Sequence, residues 1–106
     1  MTLSRRIVRA TDGFFIQLDS QLPSTRGADG TPSAGDFLVL ELPAIVDLFA
    51  TNFEALPEVA VGMGSARVSI NKSLIVDSFA VYGVLLTDDS IELIGVDIEL
   101  WRTPSP

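Results

Sequence analysis

Residues 66–101 read ARVSINKSLIVDSFAVYGVLLTDDSIELIGVDIELW, and their alternation decides the fold. Side chains of a β-strand point to opposite faces with a period of two. Over 79–86 one face takes Phe79, Val81, Gly83 and Leu85, and the other takes Ala80, Tyr82, Val84 and Leu86. Both faces are apolar and need cover, so this strand should be central in its sheet or face a helix on one side and a partner on the other. Thr87, Asp88, Asp89 and Ser90 are four polar residues between two apolar runs, a pattern suited to a short hairpin on a type I turn. In 91–101 the alternation predicts a core face of Glu92, Ile94, Val96, Ile98 and Leu100. The opposite face carries Ile91, Leu93, Gly95, Asp97, Glu99 and Trp101, and its far half should be wet or meet something polar. Upstream, 66–70 places Val68 and Ile70 inward with Arg67 and Ser69 outward, and Asn71, Lys72 and Ser73 turn the chain into Leu74, Ile75 and Val76. Asp77 and Ser78 interrupt that run, which predicts a bulge or bend in one long strand over 74–86.

The chain before the sheet divides at its turn residues. Thr2 to Ala10 is predicted as a short strand in which Arg5, Arg6 and Arg9 interleave with Ile7 and Val8. In so acidic a protein these arginines read more readily as solvated edge positions or carboxylate partners than as a nucleic-acid contact. A helix should begin at Thr11-Asp12, with Asp12 accepting from the free N–H groups of the first turn. Phe14, Phe15, Leu18 and Leu22 line one side of it, and Pro23 ends it. Residues 23–35 (PSTRGADGTPSAG) are predicted as an exposed loop, and its Arg26 is either plain linker or a ligand contact. Ser33 followed by Asp36 resembles a capping box that opens a second helix near Ala34. Over 37–42 (FLVLEL) a strand and a helix compete. Leu38, Leu42, Ile45, Phe49, Phe53 and Leu56 keep one helical stripe across Pro43, which favours a single helix kinked at the proline. Pro57 ends that helix and 58–65 is a loop. Its Gly62-Met63-Gly64-Ser65 is no phosphate cradle, because no complete glycine motif is present and no helix follows.

Composition limits the function classes. With 106 residues this is a single domain, 1–106, with a frayed tail over 102–106. A 47% hydrophobic content and a mean hydropathy of +0.40 leave apolar surface over on so short a chain, which points to a homodimer or a protein partner. The formal charge of −7 and pI of about 4.2 disfavour tight nucleic-acid binding and an anionic membrane surface. Cysteine and histidine are both absent, which removes thiolate and imidazole chemistry and most transition-metal sites; no cofactor and no metal are expected. The sequence has no apolar run of about 18 residues and no signal-peptide pattern, so a cytoplasmic, bacterial setting is the expectation.

The order strand, helix, helix and three strands, over about residues 3 to 100, resembles the RelE/ParE toxin superfamily of type II toxin–antitoxin modules. The likeness runs from Ala55-Leu56-Pro57 through Arg67-Val68-Ser69-Ile70 to the hairpin of 78–84 and 91–96. The resemblance implies an α+β fold: an N-terminal strand, two helices and a three-stranded antiparallel C-terminal sheet packed on them. In the ribonuclease branch a constellation of Arg, Lys and Tyr does the chemistry, and Arg67, Lys72 and Tyr82 are the matching residue types here. Where such nucleases carry further basic residues on the last strand, this chain has Asp97 and Glu99, which repel phosphate. The reading therefore leans away from an enzyme and toward a toxin-like protein that binds an antitoxin or a gyrase-type target. The alternative is an orphan homodimeric accessory domain, of a kind carried on mobile elements, that holds a small or cationic ligand in an acidic cleft. Asp97, Glu99, Trp101, Arg5, Arg6 and Arg9 are the candidate binding residues in either case. Catalytic use of Asp77, Asp97 and Glu99 has no specific support in the sequence.

Overall fold

The structure, a computed structural model, describes residues 5–101 of the 106. It is an α+β domain: β1 (Val8–Ala10), α1 (Asp12–Gln21), α2 (Ala34–Leu40), α3 (Leu42–Asn52), a single 3₁₀ turn (Phe53–Ala55), β2 (Ala66–Lys72), β3 (Ser78–Leu85) and β4 (Ile91–Glu99). The four strands form one mixed sheet in the order β1-β4-β3-β2. β2, β3 and β4 are antiparallel neighbours, as expected, whereas β1 adds to them in parallel along β4, pairing Val8 with Ile91 and Ala10 with Leu93. The sheet therefore has four strands instead of three. The start of the predicted first strand and the tail lie outside the described residues.

Side chains from all three helices share one core with one face of the sheet. Phe14, Leu18, Phe37, Ile45, Phe49 and Phe53 meet Phe79, Val81, Ile91, Leu93 and Val96 there. Phe37 packs edge-on against Phe79, with ring centroids 5.0 Å apart. α1 is capped by Thr11, whose hydroxyl accepts from the Phe14 N–H at 3.3 Å; Asp12, expected to cap, lies inside the first turn. Phe15 falls off the apolar stripe and is exposed. At α2 the capping box is complete: Asp36 N–H donates to Ser33 Oγ at 3.1 Å, and Ser33 N–H donates to Asp36 Oδ2 at 2.9 Å.

Residues 37–42 are helical in phase but not continuous. The helix breaks at Glu41 (φ −111°), which places Pro43 in the first turn of α3, where its missing N–H is no loss. Glu41 N–H still bonds Phe37 O, and Ile45 N–H bonds Glu41 O, so the apolar stripe runs through the break. Two helices replace the single kinked one.

Three expectations about the strands are overturned, each for a local reason. Residues 74–76 are not strand, because Ser73 Oγ accepts from the N–H groups of Ile75 and Val76 and holds them in a turn while donating to Glu41. β2 shows the reverse of the predicted faces: Ser69 is 3% exposed and Ile70 73%. Its parity is dictated by pairing with β3, where Phe79, Val81 and Gly83 must face the helices, so Asn71, Ser69 and Arg67 share their side. In β4 the register shifts between Tyr82 and Gly83, leaving Ile94 as the extra residue of a bulge. Before the bulge Ile91 and Leu93 are core; after it Val96 is, and Ile98 packs alongside. Glu92 and Ile94 accordingly leave the predicted core face.

Candidate functional site

Pairing with β3 determines what the second face of the sheet displays. Ile70, Ala80 and Asp97 form one cross-strand row; Val68 and Tyr82 form the next, with Ile94 of the bulge beside them; Ala66, Val84, Glu92 and Arg9 form a third. At the other end lie Lys72, Ser78 and Glu99. None of the residues that build the core cluster with the helices comes from these rows. Among the described residues, the strand expected to be covered on both faces is covered on one.

Tyr82 stands in the middle of this open face and donates from its hydroxyl to Asp97 Oδ2 at 3.0 Å. That hydrogen bond to a carboxylate, followed by partial burial, raises the phenol's pKa. It is thereby made a weaker acid, with less phenolate present at neutral pH. Lys72 is four residues from Val68, the partner of Tyr82, or about 13 Å along the strand. It lines a crevice of about 330 Å³ with Glu41, Ile45, Leu48 and Asn71. Arg67 is turned to the other side, where its guanidinium donates to the carbonyls of Gly64 (2.8 Å), Glu54 (3.2 Å) and Leu56 (2.8 Å) and lies 5.6 Å from the centroid of Phe53. It ties the end of the 3₁₀ turn to β2. The three residues proposed as a nuclease constellation are thus not brought together.

Arg5, Arg6 and Arg9 do converge, around the hairpin turn, in a cleft of about 220 Å³ shared with Asp88, Asp89 and Ser90. Arg5 pairs with Asp47 at 2.8 Å, Arg6 bridges Glu54 and Asp89, and Arg9 donates to Ser90 Oγ at 3.2 Å. The two carboxylates raise the Arg6 pKa, mainly through their hydrogen bonds, and Arg6 in turn lowers that of Glu54. Asp89 also takes the left-handed position of the turn (φ 70°), after the Asp89 N–H bond to Leu86 O, as in a type I turn with a G1 bulge. Arg6 and Arg9 hold the turn in place, and Arg5 ties the N-terminal segment to α3.

Trp101, 62% exposed, lines a cleft of about 370 Å³ with Pro32, Leu40, Leu74 and Ile75, bounded by Arg26 and Asp36. Arg26 is bidentate on Asp36, at 3.1 and 2.8 Å, and holds its carboxyl down at about 2. Asp97 and Glu99 stand outside this lining, on the open face, so the expected acidic cleft with Trp101 is divided between two places. Among the described residues no group of three or more carboxylates is placed to hold a metal ion, and no helix is long and apolar enough to cross a membrane.

Reading the sequence alone missed Gln17 and Gln21. β1 pairs with β4 only as far as Leu93, and the chain then continues along the same edge as α1. Gln17 Oε1 accepts from Val96 N–H at 2.9 Å, Gln21 Oε1 accepts from Ile98 N–H at 2.6 Å, and Gln21 Nε2 donates to Val96 O at 2.6 Å. Four helical residues rise about 6 Å, and two strand residues about 6.8 Å, so side-chain amides one turn apart meet alternate peptide groups of β4. The edge is sealed without a strand. Gly95 leaves the room this requires: a Cβ there would lie 2.7 Å from Gln17 Oε1. The Gln-x-x-x-Gln spacing was the one available signal.

Comparison of the chain with known protein families, with curated proteins and with solved structures returns no match.

Proposed function

We propose that this chain is a protein-binding module of toxin-like fold, in the RelE/ParE sense, which docks an antitoxin-like partner or a gyrase-type target and performs no catalysis. The observation that carries the reading is the uncovered sheet face, with Val68, Ile70, Val84 and Ile94 around Tyr82. An apolar face of this kind on a small domain marks an interaction surface. The order of elements supports the resemblance, and the separation of Arg67, Lys72 and Tyr82 supports binding over nuclease chemistry. In the absence of another partner the same face is available for self-association into a homodimer. The test is inducible expression in bacteria with and without the adjacent gene. Growth arrest that the neighbour relieves, and that Ile70→Asp abolishes, is the expected result; normal growth together with no association between the two gene products would refute it.

A second reading, an accessory domain that binds a small ligand, is favoured by one observation. The cleft beside Trp101 is lined by Pro32, Leu40, Leu74 and Ile75 together with the charged pair Arg26 and Asp36. Trp101 is the single tryptophan of the chain, so a change in indole fluorescence on titration with a ligand reads this site directly.

A further inference from the structure

The open face sets carboxylates beside apolar residues. Arginine is paired with Asp36, Asp47, Glu54 and Asp89. Among the described residues the other carboxylates take part in no ion pair. Three of them, Glu92, Asp97 and Glu99, are displayed by β4 along the open face, where Arg9 shares the row of Glu92 and Lys72 that of Glu99. These three carboxylates flank an apolar strip formed by Val68 and Ile70 of β2 and Ala80 and Val84 of β3. Tyr82 holds the central carboxylate, Asp97, against that strip. The surface thus combines an apolar band with three carboxylates on one side, of which Asp97 has no cation in its row.

The edges narrow the choice of occupant. The β4 edge is closed by β1 and by the glutamines of α1. The β2 edge is half closed, since Val59 N–H bonds Ala66 O at 2.9 Å and Val68 N–H bonds Pro57 O at 3.0 Å. An added strand would find room only at the Ile70 and Lys72 end, which disfavours strand addition. A second copy brings −7 toward −7, and anionic lipid or nucleic acid is repelled in the same way. With strands about 4.8 Å apart, β2 to β4 span about 10 Å, the width of one helix. We infer that the open face docks a basic amphipathic helix of a partner protein, with its apolar side on Val68, Ile70, Ala80 and Val84 and its Lys or Arg residues on Asp97, Glu99 and Glu92. This rests on the reading of the open face as a docking surface and specifies the partner's chemistry.

The probe is a short amphipathic helical peptide made only of leucine and lysine, compared with its leucine and glutamate counterpart, titrated into isotope-labelled full-length protein. Backbone amide shifts locate the contact. The expected result is saturable shifts confined to β2, β3 and β4 open-face residues with the lysine peptide, weakening as salt is raised. Asp97→Lys with Glu99→Lys, and separately Ile70→Asp, should each weaken binding by roughly tenfold or more. Asp12→Lys with Asp19→Lys, on α1, should leave it unchanged. If the α1 pair weakens binding as much as the β4 pair, attraction to the net charge explains it and the inference fails. If the glutamate peptide binds this face as well as the lysine peptide does, the cationic partner is wrong while the docking face stands. Shifts at this face with neither peptide, in protein whose spectrum stays dispersed, would overturn both.

Discussion

The two faces of one sheet are made from the same kinds of residue and have opposite fates. On β3, Phe79, Val81 and Gly83 are buried under α2 and α3, while Ala80, Tyr82 and Val84 between them remain partly exposed. Composition alone does not separate the two sets. What separates them is fit: on the closed face Gly83 admits the Phe49 ring so closely that a Cβ there would lie 2.5 Å from it. On the open face nothing comparable is asked of any side chain. Burial on the closed face is stability, and exposure on the open face is the ground for the proposed docking.

That contrast should be plain in substitutions. Phe49→Ala removes the ring that Gly83 accommodates and should destabilise by about 3–5 kcal/mol in chemical denaturation; Gly83→Val forces the ring aside and should cost about 1–3 kcal/mol. Arg67→Ala leaves three backbone carbonyls without their donor and uncovers Phe53, an expected loss of about 1.5–3 kcal/mol that Arg67→Lys recovers only in part. A loss of less than about 0.5 kcal/mol would mean that the turn after α3 holds itself. Gln21→Ala strips partners from the β4 edge, with about 1–2 kcal/mol lost and faster hydrogen exchange at the Ile98 amide.

Acid should act at the start of α2. The Asp36 carboxyl is lowered, first by the Arg26 hydrogen bond and then by the Ser33 N–H, from 3.8 to about 2. A depressed carboxyl stabilises the fold fully above its unfolded value and loses that contribution as pH falls through its folded one. Asp36→Asn should therefore flatten the acid limb of the stability profile between about pH 4 and 2, by lowering stability above about pH 4 and leaving it little changed below about pH 2. The smallest expected effect on stability is on the open face: Ile70→Asp should change it by no more than about 0.5 kcal/mol. The same substitution should abolish any self-association that light scattering detects in the parent protein at high salt, where the charge of −7 is screened. If Ile70→Asp unfolds the domain, the two faces are not the distinct things proposed.

Much of the candidate surface was legible in part. Asp97 and Glu99 could be placed on the wet far half of β4 from alternation, whereas Tyr82, among the apolar Ala80, Val84 and Leu86, reads as a core residue and is half-buried on the open face instead. Ile70 could not be placed, because in a seven-residue strand with Arg67, Ser69, Val68 and Ile70 the more apolar set looks like the core set. An arginine that stacks on Phe53 and donates to carbonyls looks, in a sequence, the same as one reaching into solvent. The bulge at Ile94 was hidden for a similar reason: Ile91, Leu93, Ile94, Val96 and Ile98 are apolar on both parities, so no break in the pattern announces the change of side.

The amino-acid sequence by itself determined the elements whose signals are local: the capping box of Ser33 and Asp36, the apolar stripe that passes Pro43, the turn of Thr87 to Ser90 and the antiparallel hairpin on either side of it. Each depends on residues within a few positions of one another, where backbone geometry leaves few alternatives. Only the tertiary structure decided that β1 joins β4 in parallel, that Gln17 and Gln21 finish the edge β1 begins, which side of β2 is buried, and that one face of the sheet stays bare. These depend on pairs of segments far apart in the chain, and a strand's side-chain parity is a two-way choice that its neighbour in the sheet makes for it.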